Sequence, residues 1–162
     1  LAGYSRGTFY IHYKKKDDML YEIIDTLFDE ASKAQRSSYI KEVSLDVRRL
    51  DNEPIFILTH FKQYGDWYKI LLGENIQIDF RDKLTNMFVD LYLEDFDFQE
   101  TTDGSGINKQ LLNKYYSYGL MGLILDWVIA DFPVEPEEFS VELVKIFKYS
   151  LGTIRIQNKK YR

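Results

Sequence analysis

The sequence contains no cysteine, which removes a disulfide framework, a thiolate zinc site, an iron-sulfur cluster and a cysteine nucleophile at once. Proline is scarce, with three in 162 residues, so long stretches run without a forced break, which favours helices over a many-stranded sandwich. Long hydrophobic runs are missing too. The longest, Gly119 to Leu125, meets Asp126 well short of the roughly 20 residues a membrane span requires. No apolar signal core follows the basic N-terminus. The expectation is a soluble cytoplasmic protein with no membrane partner. The two histidines, His12 and His60, are too few for a His-rich metal set. Neither Glu-x-x-His nor His-Glu-x-x-His occurs, no glycine precedes a Lys-Ser or Lys-Thr, and the acidic stretch from Asp95 to Gly104 lacks the sixth-position glycine of a calcium loop. The sequence therefore predicts no enzyme, no metal site and no cofactor.

What is present is a globular composition, 45% hydrophobic, with charge unevenly distributed. The net charge is −5, yet the first sixteen residues carry Arg6, Lys14, Lys15 and Lys16 and no acid. The remainder sets 17 basic against 26 acidic side chains. The two parts are built for different partners.

Apolar residues recur at helical spacing along most of the chain. Leu20, Ile23, Ile24, Leu27, Phe28 and Ala31 predict a helix from about 15 to 40, with Asp17 and Asp18 near its positive end. Pro54 suits the first residue of a helix through Phe56 and Tyr64, interrupted at Gly65-Asp66. A short piece from Trp67 to Leu72 ends at Gly73, where a left-handed cap is expected. A further helix spans roughly 76 to 98, and the Thr-Thr-Asp-Gly-Ser-Gly segment after it reads as an exposed loop. The next helix, with Leu111, Tyr115, Gly119 and Trp127, is apolar on most sides and ends at Phe132-Pro133. The last begins near Pro136, with Glu137 and Glu138 in its first turn. No strand signal competes with helix, and no repeat is visible.

The opening segment has its own logic. Gly3 can end one helix and Ser5 can cap the next, giving a tight helix-turn-helix. In the short helix at about 5–13, Phe9 and Tyr13 face inward while Arg6, Thr8, Tyr10 and His12 project outward. Such a leading end, followed by three lysines, has what major-groove docking needs. On spacing and charge alone, a solvated amphipathic helix that lacks acids fits equally well.

The run Ala2-Gly3-Tyr4-Ser5-Arg6-Gly7-Thr8-Phe9-Tyr10-Ile11-His12-Tyr13, continued by Lys14-Lys15-Lys16-Asp17-Asp18-Met19-Leu20, resembles the DNA-binding signature of the TetR/AcrR transcription regulators. Tyr4 stands where that family usually has Val or Ile. The resemblance implies an all-α, TetR-like fold. Residues 1–40 would be the C-terminal part of a helix-turn-helix domain with its connecting helix, and residues 41–162 a helical regulatory and dimerisation domain. The family has two helices before this point, so upstream residues are expected in the natural protein. By motif position, Arg6 and Thr8 are candidates for base-edge contact, with Gly7 leaving room for approach. Tyr10, His12 and Lys16 are candidates for phosphate contact, and Ser5 for capping or backbone contact.

The same resemblance implies double-stranded operator DNA as a partner. It also implies a homodimer through the last two helices, roughly 108–131 and 136–156, and an unknown small-molecule or protein effector. Tyr116 to Pro133 is similar to the penultimate helix of a Firmicutes subgroup linked to dihydroxyacetone kinase regulation. The alternative is an interaction protein or coactivator of TetR-like fold controlled by a partner protein. His60, Tyr64, Trp67, Tyr92 and Tyr115 each add a polar handle to an apolar helix face, but none is assigned a ligand contact.

Overall fold

The computed structural model describes residues 16–39, 42, 44–46, 55–73, 76, 78–98, 106, 108–150 and 153–156. Six helices form the body: α1 (Lys16–Ser37), α2 (Phe56–Gln63), α3 (Gly65–Leu71), α4 (Phe80–Asp95), α5 (Lys109–Ile129) and α6 (Pro136–Ser150). Three short strands accompany them: β1 (Ser44–Asp46), β2 (Phe96–Phe98) and β3 (Thr153–Ile156). The predicted all-α class holds for the body.

Local chemistry explains most helix ends. Asp17 and Asp18 occupy the first turn of α1 and Arg36 its last, each complementing the helix dipole. Asp79 caps α4 by accepting from the Asp82 amide at 3.2 Å, and Asn108 caps α5 by accepting from the Leu111 amide at 3.0 Å. The cap at Asp79 starts α4 later than the apolar periodicity from residue 76 predicts. Helix α2 has no side-chain cap of its own; the Ile55 and Phe56 amides instead donate to the hydroxyls of Ser140 and Ser38, both at 3.3 Å. Its entry is therefore fixed by tertiary partners.

The interruption expected at Gly65-Asp66 is found, between Gln63 and Gly65, and the left-handed cap expected at Gly73 is corrected. Gly73 is not left-handed: Leu72 closes α3 with φ −82° and the Gly73 amide continues to the Ile70 carbonyl at 3.2 Å. Gly65 is the first residue of α3, and its role is steric. A Cβ there would lie 2.5 Å from Cε2 of Phe132. Left-handed backbone occurs after α5 instead, at Asp131 (φ 59°) and Phe132 (φ 56°). The Phe132 amide reaches back to the Trp127 carbonyl at 2.9 Å, and its ring sits 4.8 Å from the Trp127 indole. These contacts and the space over Gly65 hold a backbone conformation that an aromatic residue rarely adopts.

The core is aromatic, with Phe61, Tyr68, Phe80 and Phe88 all buried. Phe61 lies 4.5 Å from Tyr68 and 6.3 Å from Phe88 between ring centroids. Helix α1 packs on α2 and α4, and α4 packs on α5. At one end of the bundle, β3 lies between β1 and β2 and is antiparallel to both, with Leu45 opposite Ile154 and Asp97 opposite Arg155. Each strand follows a helix: β1 follows α1, β2 continues α4 and β3 follows α6. The sheet joins the C-terminal ends of three helices.

Gly65→Ala is expected to lower stability by about 1–3 kcal/mol in urea unfolding, because the rigid Phe132 ring has to move. Combined with Phe132→Ala, the loss should fall short of the sum of the single effects. Additive losses would contradict this packing.

Candidate functional site

A buried polar contact closes the junction of α1 and α4. Asp95, the last residue of α4, is fully buried. Arg36 donates to it through Nε at 2.8 Å and Nη2 at 3.3 Å, and Nη2 also reaches Glu94 at 3.1 Å. The Tyr39 hydroxyl donates to the same carboxylate at 2.6 Å, and the Tyr39 ring packs 4.9 Å from Phe96. Burial, and then the hydrogen bond to Asp95, push the Tyr39 hydroxyl pKa well above the usual tyrosine range, so it stays a donor. A buried carboxylate is tolerated only when so paired.

A second polar contact sits in the aromatic core. His60 is 6% exposed, and its Nε2 shares a 2.9 Å hydrogen bond with the Tyr68 hydroxyl. Tyr64 lies 4.8 Å away across the ring. Burial pushes the His60 pKa down to about 4, so the imidazole is neutral at ordinary pH. Burial likewise raises Tyr68 and Tyr92. Of the other aromatic positions noted from the sequence, Tyr64 is half-buried and Tyr92 buried, while Trp67 and Tyr115 are exposed.

The third feature is a surface. Helix α5 buries Leu120, Met121, Ile124 and Leu125 on one side, yet on the other exposes Leu111, Tyr115, Tyr118 and Ile129. Gly119 and Gly122 lie on that outer side, and no atom comes within 4 Å of where a Cβ would stand. Two helix-interior glycines therefore leave room that nothing described in this chain fills. Between α5 and α6 runs a groove of ≈ 720 Å³ lined by Tyr115, Gly119, Leu123, Ile146 and Phe147, with Tyr149 at its edge 96% exposed.

Ser5, Arg6, Gly7, Thr8, Tyr10 and His12 lie outside the described residues. Lys16 is the first residue of α1. Sequence reasoning missed Arg36, Tyr39 and Asp95, because a helix-terminal charge usually signals nothing beyond the dipole, and their pairing spans 56 to 59 residues. It also missed Asn113 and Ser117, polar residues on the inner face of α5. Their spacing of four within an otherwise apolar inner line was the available signal. Among the described residues no group of three or more His, Asp or Glu is placed to hold a metal ion, and no helix is long and apolar enough to cross a membrane.

Asp95→Asn should cost about 3 kcal/mol in chemical denaturation, since it leaves the Arg36 cation without its buried partner. Tyr39→Phe should cost about 1.5–3 kcal/mol, one hydrogen bond to a charged acceptor. Equal tolerance of both would show that the junction contributes little.

His60 binds fewer protons in the folded chain than in the unfolded one between pH 6.5 and about 4. Its contribution is therefore complete above pH 6.5 and falls as pH drops, by up to about 2–3 kcal/mol. Denaturant titrations from pH 7 to 4.5 should show a shallower decline for His60→Gln than for the parent. Parallel curves would rule out this source of acid sensitivity.

A family model described as a transcriptional regulator C-terminal region, of the TetR class, matches residues 54–149, more than half of the chain. Searches among curated proteins and among solved structures returned no match. The matched span runs from just before α2 to the end of α6 and takes in the aromatic core, Asp95 and the exposed face of α5. The chain belongs to the TetR family of transcriptional regulators.

Proposed function

We propose that this regulator is a homodimer that binds a pseudo-palindromic operator through residues 1–16 and whose operator affinity is set by an effector acting on the helical domain. Residues 1–40 form the DNA-binding end with its connecting helix, and residues 41–162 the regulatory and dimerisation domain.

The observation that carries this reading is the continuity of α1. It starts at Lys16, the last lysine of the basic motif, runs for 22 residues, and ends where Arg36 is clamped on Asp95. A head borne on the first fifteen residues is thus joined by one rigid element to the domain that matches the family. The exposed face of α5 and α6 supports the twofold assembly. An exposed apolar face is where chains associate, and an isologous contact of the two helices would bury it against its own copy.

In this arrangement Arg6 and Thr8 reach base edges in the major groove, and Gly7 permits close approach. Tyr10, His12 and Lys16 hold phosphates, and Ser5 caps the recognition helix or contacts the backbone. Twofold symmetry places the half-sites about 34–36 Å apart, or at a multiple of that. The acidic remainder keeps the regulatory domain off the phosphate backbone.

Footprinting of the full-length protein on its own upstream DNA tests the assignment. Arg6→Ala with Thr8→Ala should remove sequence preference, at a cost of about 1–3 kcal/mol per base contact. Lys16→Ala should weaken binding to all sequences alike and reduce the salt slope by about 1. Retained specificity in the double variant would take Arg6 and Thr8 out of the base-reading role.

A further inference from the structure

Helices α1 and α4 run in the same direction: Tyr21 lies by Lys83 at one end, Ser32 meets Met87 between, and Arg36 holds Asp95 at the other. A groove of ≈ 510 Å³ runs between them. Ile24, Phe28, Met87 and Leu91 give it an apolar floor, and the exposed acids Asp25, Asp90 and Glu94 line it as well.

Its charge is unbalanced. Arg36 is engaged by Asp95 and Glu94, and Lys83 lies over the Tyr21 ring at 5.9 Å. Asp25 and Asp90 have no ion-pair partner among the described residues. Around them, α1 from Asp17 to Glu30 contains six acids and no Lys or Arg. A small cation would answer the charge and leave the apolar floor in water. A basic peptide answers both, because lysine and arginine lay their alkyl stems on apolar surface while their heads reach nearby carboxylates.

The sheet brings such a peptide to the end of this groove. Strand β2 leaves α4 directly, and β3 is antiparallel to it, so β3 runs back toward the helix. Ile156 pairs with Phe96, the residue that follows Asp95. The next residues in the sequence are Gln157-Asn-Lys-Lys-Tyr-Arg162, with three cations and no acid. Six extended residues span roughly 20 Å. The rise of α4 from Glu94 back to Lys83 is about 16 Å. The segment starts at the Glu94 end of the groove and is long enough to follow it.

We propose that Gln157 to Arg162 docks in the groove between α1 and α4, with Lys159 and Lys160 at Glu94 and Asp90 and Arg162 at Asp25. Exposed ion pairs are individually weak, so a separate basic peptide would bind poorly. Attachment to β3 supplies an effective concentration on the order of millimolar, which favours the chain's own segment over a free partner. The docked segment joins α1 to α4 along the groove, beyond the Arg36–Asp95 contact at its end. This assignment is independent of the DNA-binding reading.

Zero-length carbodiimide coupling of the full-length protein at low salt, read by mass spectrometry, tests it. Lys159 or Lys160 should couple to Asp90, and the exposed Lys145–Glu142 pair, at 2.6 Å, serves as the internal control of reaction yield. Asp25→Asn removes only the remote anchor, so it should lower the Asp90 coupling at least about threefold if the segment is docked, whereas chance proximity would leave the yield unchanged. Asp25 and Asp90 are exposed, so their variants should fold. Exchanging the charges, Asp90→Lys with Lys159→Glu and Lys160→Glu, should restore coupling between position 90 and the tail. Mixing nitrogen-14 and nitrogen-15 chains separates the occupants: coupling within one chain supports the proposal, and coupling found only between chains overturns it in favour of a second copy's tail. Absence of the Asp90 product while the control forms, or a yield indifferent to Asp25→Asn, also overturns it.

Discussion

The buried carboxylate of Asp95 is the contact on which the rest of the structure depends. It sits at the last residue of α4, with no exposed surface, and its charge is balanced by Arg36 from the far end of α1. Removing a charge from water is costly, and the pairing offsets that cost only where the geometry is tight and the remaining lone pairs are filled. Tyr39 fills one, and its ring packs on Phe96 of β2. Immediately beyond this cluster, β3 inserts between the strands that follow α1 and α4. The C-terminal ends of three helices are thereby fixed to one another, and α1 leads from this junction back to Lys16, where the segment proposed to read DNA ends.

A second constraint comes from α5, which is apolar on opposite faces. Its inner face completes the aromatic core, while its outer face, with two glycines opening onto empty space, is finished neither by α4 nor by α6. Helix α5 packs on α4, and α4 is joined to α1 through Asp95 and to β3 through β2, so the outer face of α5 is linked by packed elements to α1. The His60–Tyr68 contact lies in the aromatic core between these elements.

Much of this architecture was legible in the sequence, and the reasons differ by element. The helices around Leu27, Leu84, Leu120 and Leu143 were visible because each needs only a local period and, for the last two, a local boundary such as Phe132-Pro133 or Pro136. The three strands were not visible. They are three or four residues long, and their pairing joins positions far apart in the chain, so no window of sequence contains the signal. Gly65 and Gly73 look alike as helix breakers, yet Gly65 makes space for a ring that arrives 67 residues later and Gly73 needs no special conformation. The opening motif announced the family through a dense local pattern, whereas Asp95 acquires meaning only from what the fold places against it.

The absence of cysteine makes the central claim directly measurable. A single cysteine placed at exposed Glu22 on α1 and spin-labelled reports the separation of the two connecting helices in the assembled protein by electron-electron double resonance. The account predicts one narrow inter-protomer distance that broadens or splits when Asp95→Asn is added under conditions where the variant stays folded. No inter-protomer signal, or a distribution indifferent to Asp95, would contradict it.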